Sequence, residues 1–223
     1  MATNSLYRGP QDLPSEIPVF PLAGALLLPR GELPLNIFEP RYLAMVDDIL
    51  KGARVIGINQ PDETRGGSDS LPALYNVGCA GRLTQFTETG DGRYLITLTG
   101  IARYRLGEEI AASAPYRRFR IDFEPFAGDF IPNRGEDAVD RDALLRTLEE
   151  YLSANRIEAD WDGIRGAPTE ALVNGLSMMS PYGAREKQAL LEAPDLKTRA
   201  ELLVAVTEMA LAERDDGSEK TIQ

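Results

Sequence analysis

The sequence predicts an α+β fold, a β-rich barrel-like part followed by a bundle of helices, and three observations carry the prediction. Between residues 17 and 128 apolar side chains recur mostly at every second position, the period of a half-buried strand. Past Phe126 the period lengthens to about 3.6, that of a helix. Turn formers cut the first part into short pieces: Pro21, Gly24, Pro29, Gly31 and Pro34 early on, Gly90-Asp91-Gly92 later.

Residues 1–16 read as an irregular polar leader. In 17–50, IPVFPLAGALLLPRGELPLNIFEPRYLAMVDDIL, two short apolar runs flank a turn-rich stretch. Pro18, Pro21, Pro29 and Pro34 fix φ and lack a backbone donor, so the runs predict short strands at a sheet edge or barrel seam. From Arg41 the spacing is helical: Tyr42, Met45, Val46 and Ile49 share a face, and Asp47, Asp48 and Lys51 point away. Pro40 suits a first helical turn, and Glu39 suits the positive end of the helix dipole.

A short strand follows over 54–60, then a polar loop to residue 72. Tyr75, Val77, Cys79 and Leu83 alternate along the next strand, which places Cys79 inward as a buried thiol. Residues 86–106 form a hairpin whose turn needs the positive-φ residues Gly90 and Gly92. Tyr94, Ile96, Leu98, Ala102, Tyr104 and Leu106 line one face of its second strand. Arg93, Thr97, Thr99, Arg103 and Arg105 line the other, and Gly100 marks a bulge or bend. Residues 116–124 alternate again, with Phe119, Ile121 and Phe123 inward.

Helical stripes then appear at Leu144, Leu145, Leu148, Tyr151 and Leu152, and at Leu172, Val173, Leu176 and Met179. Ser180-Pro181 predicts the start of a third helix running to Ala193. Asp195 predicts an N-cap for the last, which aligns Leu196, Ala200, Leu203, Val206 and Ala210. The expected division is a β subdomain over 17–128, a helical subdomain over 129–214 and a polar disordered tail over 215–223.

With 43% hydrophobic and 26% charged residues, the composition is that of a soluble globular protein. The stretch from Ile17 to Pro29 is too short to span a bilayer. The N-terminus lacks a basic-then-apolar signal pattern, so the expected location is cytoplasmic and no membrane partner is expected. The net charge of −11 lies mainly in the second part. Residues 1–128 hold 13 basic and 15 acidic side chains, and residues 129–223 hold 11 and 20. The acidic total argues against nucleic acid as the partner.

There is no histidine and one cysteine. This removes Ser–His–Asp and Cys–His catalysis within the chain and argues against a zinc site. Adjacent carboxylates (Asp47-Asp48, Glu108-Glu109, Glu149-Glu150, Asp215-Asp216) read as solvated faces, because neighbours on a helix point about 100° apart. No cofactor, no metal ligand set and no catalytic residue is expected.

The segments PVFPL, LPLNIFEPRY and RYLITLTGIARYRL resemble the N-terminal substrate-binding domain of Lon proteases, most nearly the standalone bacterial proteins that carry it without a protease. The resemblance covers residues 17–213, is specific in 17–50 and 93–106, and extends more loosely to EKQALLEAPDLKTRAELL at 186–203. It implies a PUA-like β pseudo-barrel followed by helices. It also implies a non-enzymatic module in proteostasis that grips exposed apolar stretches of a client polypeptide, or a partner protein. The chemistry of the whole protease is not expected here. No Gly-x-x-x-x-Gly-Lys-Ser/Thr string occurs. Lys51, Lys187, Lys197 and Lys220 lie on helices or in the tail with solvated flanks, so none reads as the desolvated lysine of a Ser–Lys dyad.

Two sets of residues are candidates for polypeptide binding under that resemblance. Leu26, Leu27 and Leu28 could line an apolar groove or complete the core. Phe38, Glu39, Arg41 and Tyr42 could seal the first helix onto the barrel or border the groove. Arg103, Arg105, Arg118 and Arg120 offer an alternative: a basic strip on the barrel exterior that contacts RNA phosphates. A small-ligand site in the barrel–helix crevice is the further alternative.

Overall fold

The computed structural model describes residues 6–68, 71–111 and 113–219. The order of elements is β1 (Glu16–Pro21), β2 (Glu32–Ile37), α1 (Pro40–Leu50), β3 (Val55–Asn59), β4 (Gly67–Ser68), β5 (Leu71–Pro72), β6 (Val77–Glu88), β7 (Tyr94–Glu109), β8 (Arg118–Asp122), α2 (Arg141–Asn155), α3 (Trp161–Gly166), α4 (Thr169–Met179), α5 (Ala184–Glu192) and α6 (Leu196–Glu219). The expected mixture of strands and helices is therefore present.

The main sheet has the order β2-β7-β6-β3-β1-β8, and β7 also pairs with β8. Five strands thus close on themselves, and β2 pairs with the first part of β7, Tyr94 to Thr99. β1 makes the closure possible. Its first half, Glu16 to Pro18, pairs antiparallel with β8, and its second half, Val19 to Pro21, pairs parallel with β3. It is a seam strand with neighbours on both sides, not an edge. Ile17, Val19, Val55, Ala80, Ala102, Tyr104, Phe119, Ile121 and Phe123 fill the barrel. The buried Tyr104 hydroxyl donates to Asn59 Oδ1, which satisfies the polar atom the ring carries inside. Burial holds its ionisation well above the ordinary phenol range. Cys79 lies buried as expected.

The bulge falls where Gly100 predicts it: the β6–β7 register shifts between Ala80 and Gly81, opposite Gly100 to Ala102. A side chain at Gly100 would put its Cβ 2.0 Å from the Leu28 carbonyl oxygen. The 22–31 connection lies against the strand there, with Arg30 N–H donating to Gly100 O and Gly100 N–H donating to Gly31 O, both at 2.8 Å. The hairpin turn also follows expectation, with φ of 80° at Gly90 and 86° at Gly92.

The leader is not wholly irregular. A 3-10 turn covers Pro10–Asp12, Leu13 joins the barrel core, and Arg82 donates to the Tyr7 hydroxyl at 2.7 Å.

The chain divides into two compact units at other places than the sequence suggests. One comprises residues up to Pro132 together with Tyr182–Leu191; the other comprises Asn133–Pro181 and the chain from Glu192 onward. Most of α5 thus belongs with the barrel, three features holding it there. Lys187 Nζ donates to Gly24 O at 2.9 Å, Gln60 Nε2 donates to Ala184 O at 2.9 Å, and Gln188 Nε2 donates to Val77 O at 3.2 Å. Lys187 is buried and its pKa is lowered by desolvation, contrary to the solvated flank expected for it. Its Nζ donates to a backbone carbonyl and not to a serine hydroxyl.

In the second unit Asp140 caps α2 through Ala143 N–H and Asp195 caps α6 through Thr198 N–H at 2.8 Å. The Arg141 guanidinium ties the start of α2 to the end of α3, donating to the carbonyls of Ile164, Arg165 and Ala167 and to Thr169 Oγ1. The buried face of α4 is turned from the one expected. Val173, Asn174 and Ser177 are inside, and Met179 is 79% exposed. The cause is polar: Arg199 of α6 donates to Asn174 Oδ1 at 3.0 Å, so the helix presents its amide rather than its methionine. Helix α5 starts at Ala184, beyond Ser180-Pro181, because Ser180 ends α4 instead. Helix α6 continues to Glu219; the last four residues of the expected tail lie outside the described residues.

Candidate functional site

Three of the candidates are taken by the core. Leu26, Leu27 and Leu28 are 2%, 1% and 0% exposed. The approach of their loop to Gly81 and Gly100 puts them inside, so they cannot line a groove.

Phe38, Glu39, Arg41 and Tyr42 are brought together at a hollow of about 360 Å³ on the barrel unit. Its floor is aromatic. The Tyr42 and Phe20 rings lie 4.0 Å apart between centroids, tilted by 36°. Proline and aliphatic side chains make the walls: Pro21 at the end of β1, Leu22 just after it, Leu35 of β2, and Leu71 and Pro72 of β5. Pro115, Tyr116 and Arg117 complete it from the loop before β8. Phe38 is 60% exposed and Leu71 59%, so two large apolar side chains stand in water at this hollow. Both belong to one concave, proline-lined surface, so the rim of the hollow is apolar.

The local sequence explains the shape. Pro40 starts α1 directly after the extended Glu39, so the chain turns sharply from β2 into the helix and leaves Phe38 at the corner. The buried face of α1, Tyr42, Met45, Val46 and Ile49, is the one expected.

The charged residues at the hollow are already paired. Arg41 donates through Nε to Glu39 Oε2 at 3.0 Å, and its guanidinium stacks 4.6 Å from the Tyr42 centroid. Arg117 grips Glu109 in a fork at 2.7 and 2.8 Å and donates to Pro72 O. That fork holds the Glu109 carboxyl below its usual range. The Tyr42 hydroxyl is pushed up by burial. Tyr116 donates to Asp48 Oδ2 at 2.9 Å, and that bond lowers the Asp48 pKa. Paired charges around exposed apolar side chains suit the gripping of an apolar segment, because the driving force is area removed from water and the polar groups keep their partners.

The expected arginine strip is broken. Arg103 is 4% exposed. Its Nε and Nη2 donate to the two carboxylate oxygens of Asp129 at 2.9 and 2.8 Å, and its Nη1 donates to Leu191 O at 3.0 Å. The 3-10 segment Glu124–Phe130 covers this face of β7, with Phe126 4.7 Å from the guanidinium. Arg105 stands opposite Asp122 across the β7–β8 ladder, and Arg120 lies 3.6 Å from Glu16 and 4.0 Å from Glu108. Arg118 is half-buried and lines a separate hollow together with Asp48 and Tyr116.

The hollow also uses residues the sequence did not single out: Pro21, Leu22, Leu71, Pro72 and the Pro115–Arg117 loop. Two prolines that end short strands, Pro21 and Pro72, and Pro115 in the loop before β8 were the available signal. Among the described residues no helix is long and apolar enough to cross a membrane, and no group of three carboxylates or thiols is placed to hold a metal ion.

The closed five-strand sheet followed by helices defines a mixed α+β domain with an apolar hollow beside its first helix. The family model of the ATP-dependent protease La (LON) substrate-binding domain matches residues 16–207, and the chain belongs to that family. Lon protease 2 of Myxococcus xanthus is 27% identical over 207 residues, covering 87% of this chain and 24% of that protein. The chain spans about a quarter of the length of the curated relatives it matches. Two solved structures share its fold. The Lon N-terminal domain protein from Xanthomonas campestris aligns with a TM-score of 0.59 at 22% identity, covering 85% of this chain and 97% of that one. The N-terminal domain of Mycobacterium avium complex Lon protease aligns with a TM-score of 0.60 at 16% identity, covering 86% and 98%.

Proposed function

We propose that this chain is a non-enzymatic polypeptide-binding module that holds exposed apolar segments of client proteins in the hollow beside α1. The observation that carries the reading is the pair of exposed apolar side chains, Phe38 and Leu71, at one concave surface whose charges are already paired. The family description, a substrate-binding domain, supports it. The proposal extends to a role in proteostasis in the cytoplasm. It also extends to a barrel of the PUA-like type with a helical bundle beyond it.

Burial contributes roughly 25 cal/mol per Å² of apolar area before ordering costs are subtracted. Binding is then accompanied by a negative heat-capacity change. Calorimetric titration with a short unstructured peptide rich in Phe and Leu, uncharged at its ends, tests this. A saturable heat whose enthalpy becomes more negative with temperature is expected. No binding at any concentration below aggregation overturns the reading.

A further inference from the structure

A second hollow, of about 240 Å³, continues the first along α1. The first uses the opening turn of α1 and the end of β1; the second uses the closing turn of α1 and the start of β1, and Tyr116 lines both. Its apolar walls are Ile17, Pro18, Ile49 and Val55.

Two arginines also line it, Arg54 and Arg118. Arg118 Nε is buried with no hydrogen-bond partner among the described residues. Neither guanidinium forms an ion pair within 4.0 Å among those residues. The carboxylates beside them are committed elsewhere. Asp48 accepts from Tyr116 at 2.9 Å and from Lys51 at 3.4 Å, and Glu16 faces Arg120 at 3.6 Å. The C-terminal end of α1 favours a cation near Arg54. It gives no reason for leaving a buried Nε of Arg118 unpartnered, which costs the desolvation of that donor. In a chain of net charge −11, two guanidinium groups without an ion pair within 4.0 Å among the described residues, in one cleft that Glu16 and Asp48 also line, are the unusual feature. A carboxylate answers both, since a guanidinium fork matches its two oxygens.

We infer that the Arg54–Arg118 cleft is a carboxylate subsite for the polypeptide held in the neighbouring hollow. The inference rests on the polypeptide reading given above. It makes the client class more specific: an apolar segment followed by a chain-terminal carboxylate or by an Asp or Glu side chain.

The test uses the full chain and one Phe- and Leu-rich peptide in three forms. The first has a free C-terminal carboxylate and no acidic side chain. The second is the neutral C-terminal amide. The third is the amide with one Glu placed after the apolar stretch. Fluorescence anisotropy should show at least one anionic form binding roughly tenfold tighter than the neutral amide, as a charge-assisted hydrogen-bonded pair requires. A gain in the first form alone assigns a chain terminus, and a gain in both assigns any carboxylate. Arg118→Gln should abolish the gap and leave the neutral affinity unchanged, with Arg54→Gln narrowing it. If Arg118→Gln does not fold by circular dichroism, the gap in the native chain and its narrowing in Arg54→Gln decide. Equal affinity of neutral and anionic forms overturns the subsite and leaves the hollow standing. Absence of binding by all three forms overturns both.

Discussion

Arg103 and Asp129 are locked together by three donated hydrogen bonds: from the Arg103 backbone N–H and Nε to one carboxylate oxygen and from Nη2 to the other. The two side chains are 4% and 11% exposed, so the pair is largely shielded from water. It fastens the 3-10 segment Glu124–Phe130 over β7. Removing one partner leaves an uncompensated buried charge, which costs about 3–5 kcal/mol. Asp129→Ala should therefore lower the denaturant midpoint with an unchanged slope. An Asp129→Ala protein as stable as the parent contradicts the buried pairing. Arg103→Glu is for the same reason a folding mutation and cannot report on RNA contacts; Arg105 and Arg120 are the exposed positions that can.

Gly100 has no room for a side chain, because the Leu28 carbonyl occupies the place its Cβ would take. Gly100→Ala should displace the 22–31 connection and with it Leu26, Leu27 and Leu28. Leu28→Ala, which leaves a cavity at a fully buried site, should cost about 2–5 kcal/mol. Chemical denaturation of both variants checks this. If Gly100→Ala melts like the parent, the close approach is not as described.

Asp195 caps α6, and its bond from Thr198 N–H lowers its pKa. A carboxyl whose folded pKa is depressed adds stability above its unfolded pKa, and that stability is lost as pH falls through the folded value. Asp195→Ala should cost about 1 kcal/mol at neutral pH. The difference between variant and parent should begin to shrink as pH drops below the ordinary Asp value of about 4 and disappear only once pH has passed the lower value of the folded cap. Thermal melts at neutral and acidic pH measure both effects. A difference that stays constant over that range contradicts a charged cap.

Much of the fold was legible because its elements are short and their periods clean. The buried face of α1 reads directly from Tyr42, Met45, Val46 and Ile49. The hairpin reads from Gly90 and Gly92, and the inward face of β8 from Phe119 and Ile121. Two of the misreadings share one cause: a partner distant in sequence. Alternation puts Arg103 on the outward face of β7, yet that face is covered by a segment arriving 26 residues later. Charged neighbours make Lys187 look solvated, but it meets Gly24, 163 residues away. Three adjacent leucines have no period at all, so only the packing of their loop shows that they belong to the core. Half of the candidate site was visible in Phe38 to Tyr42. The rest comes from loops that meet it only in space.

The central claim is that the hollow beside α1 holds apolar polypeptide through Phe38, and the affinity of a neutral Phe- and Leu-rich peptide for the parent and for Phe38→Ser tests it most directly. Phe38 is exposed in the free chain, so its replacement should leave the melting temperature nearly unchanged. Binding should weaken about tenfold, the value of burying most of one aromatic side chain. The parent's affinity should hold nearly constant as salt is raised, since no exposed ion pair drives it. Equal binding by parent and Phe38→Ser, or an affinity that falls steeply with salt, contradicts the account.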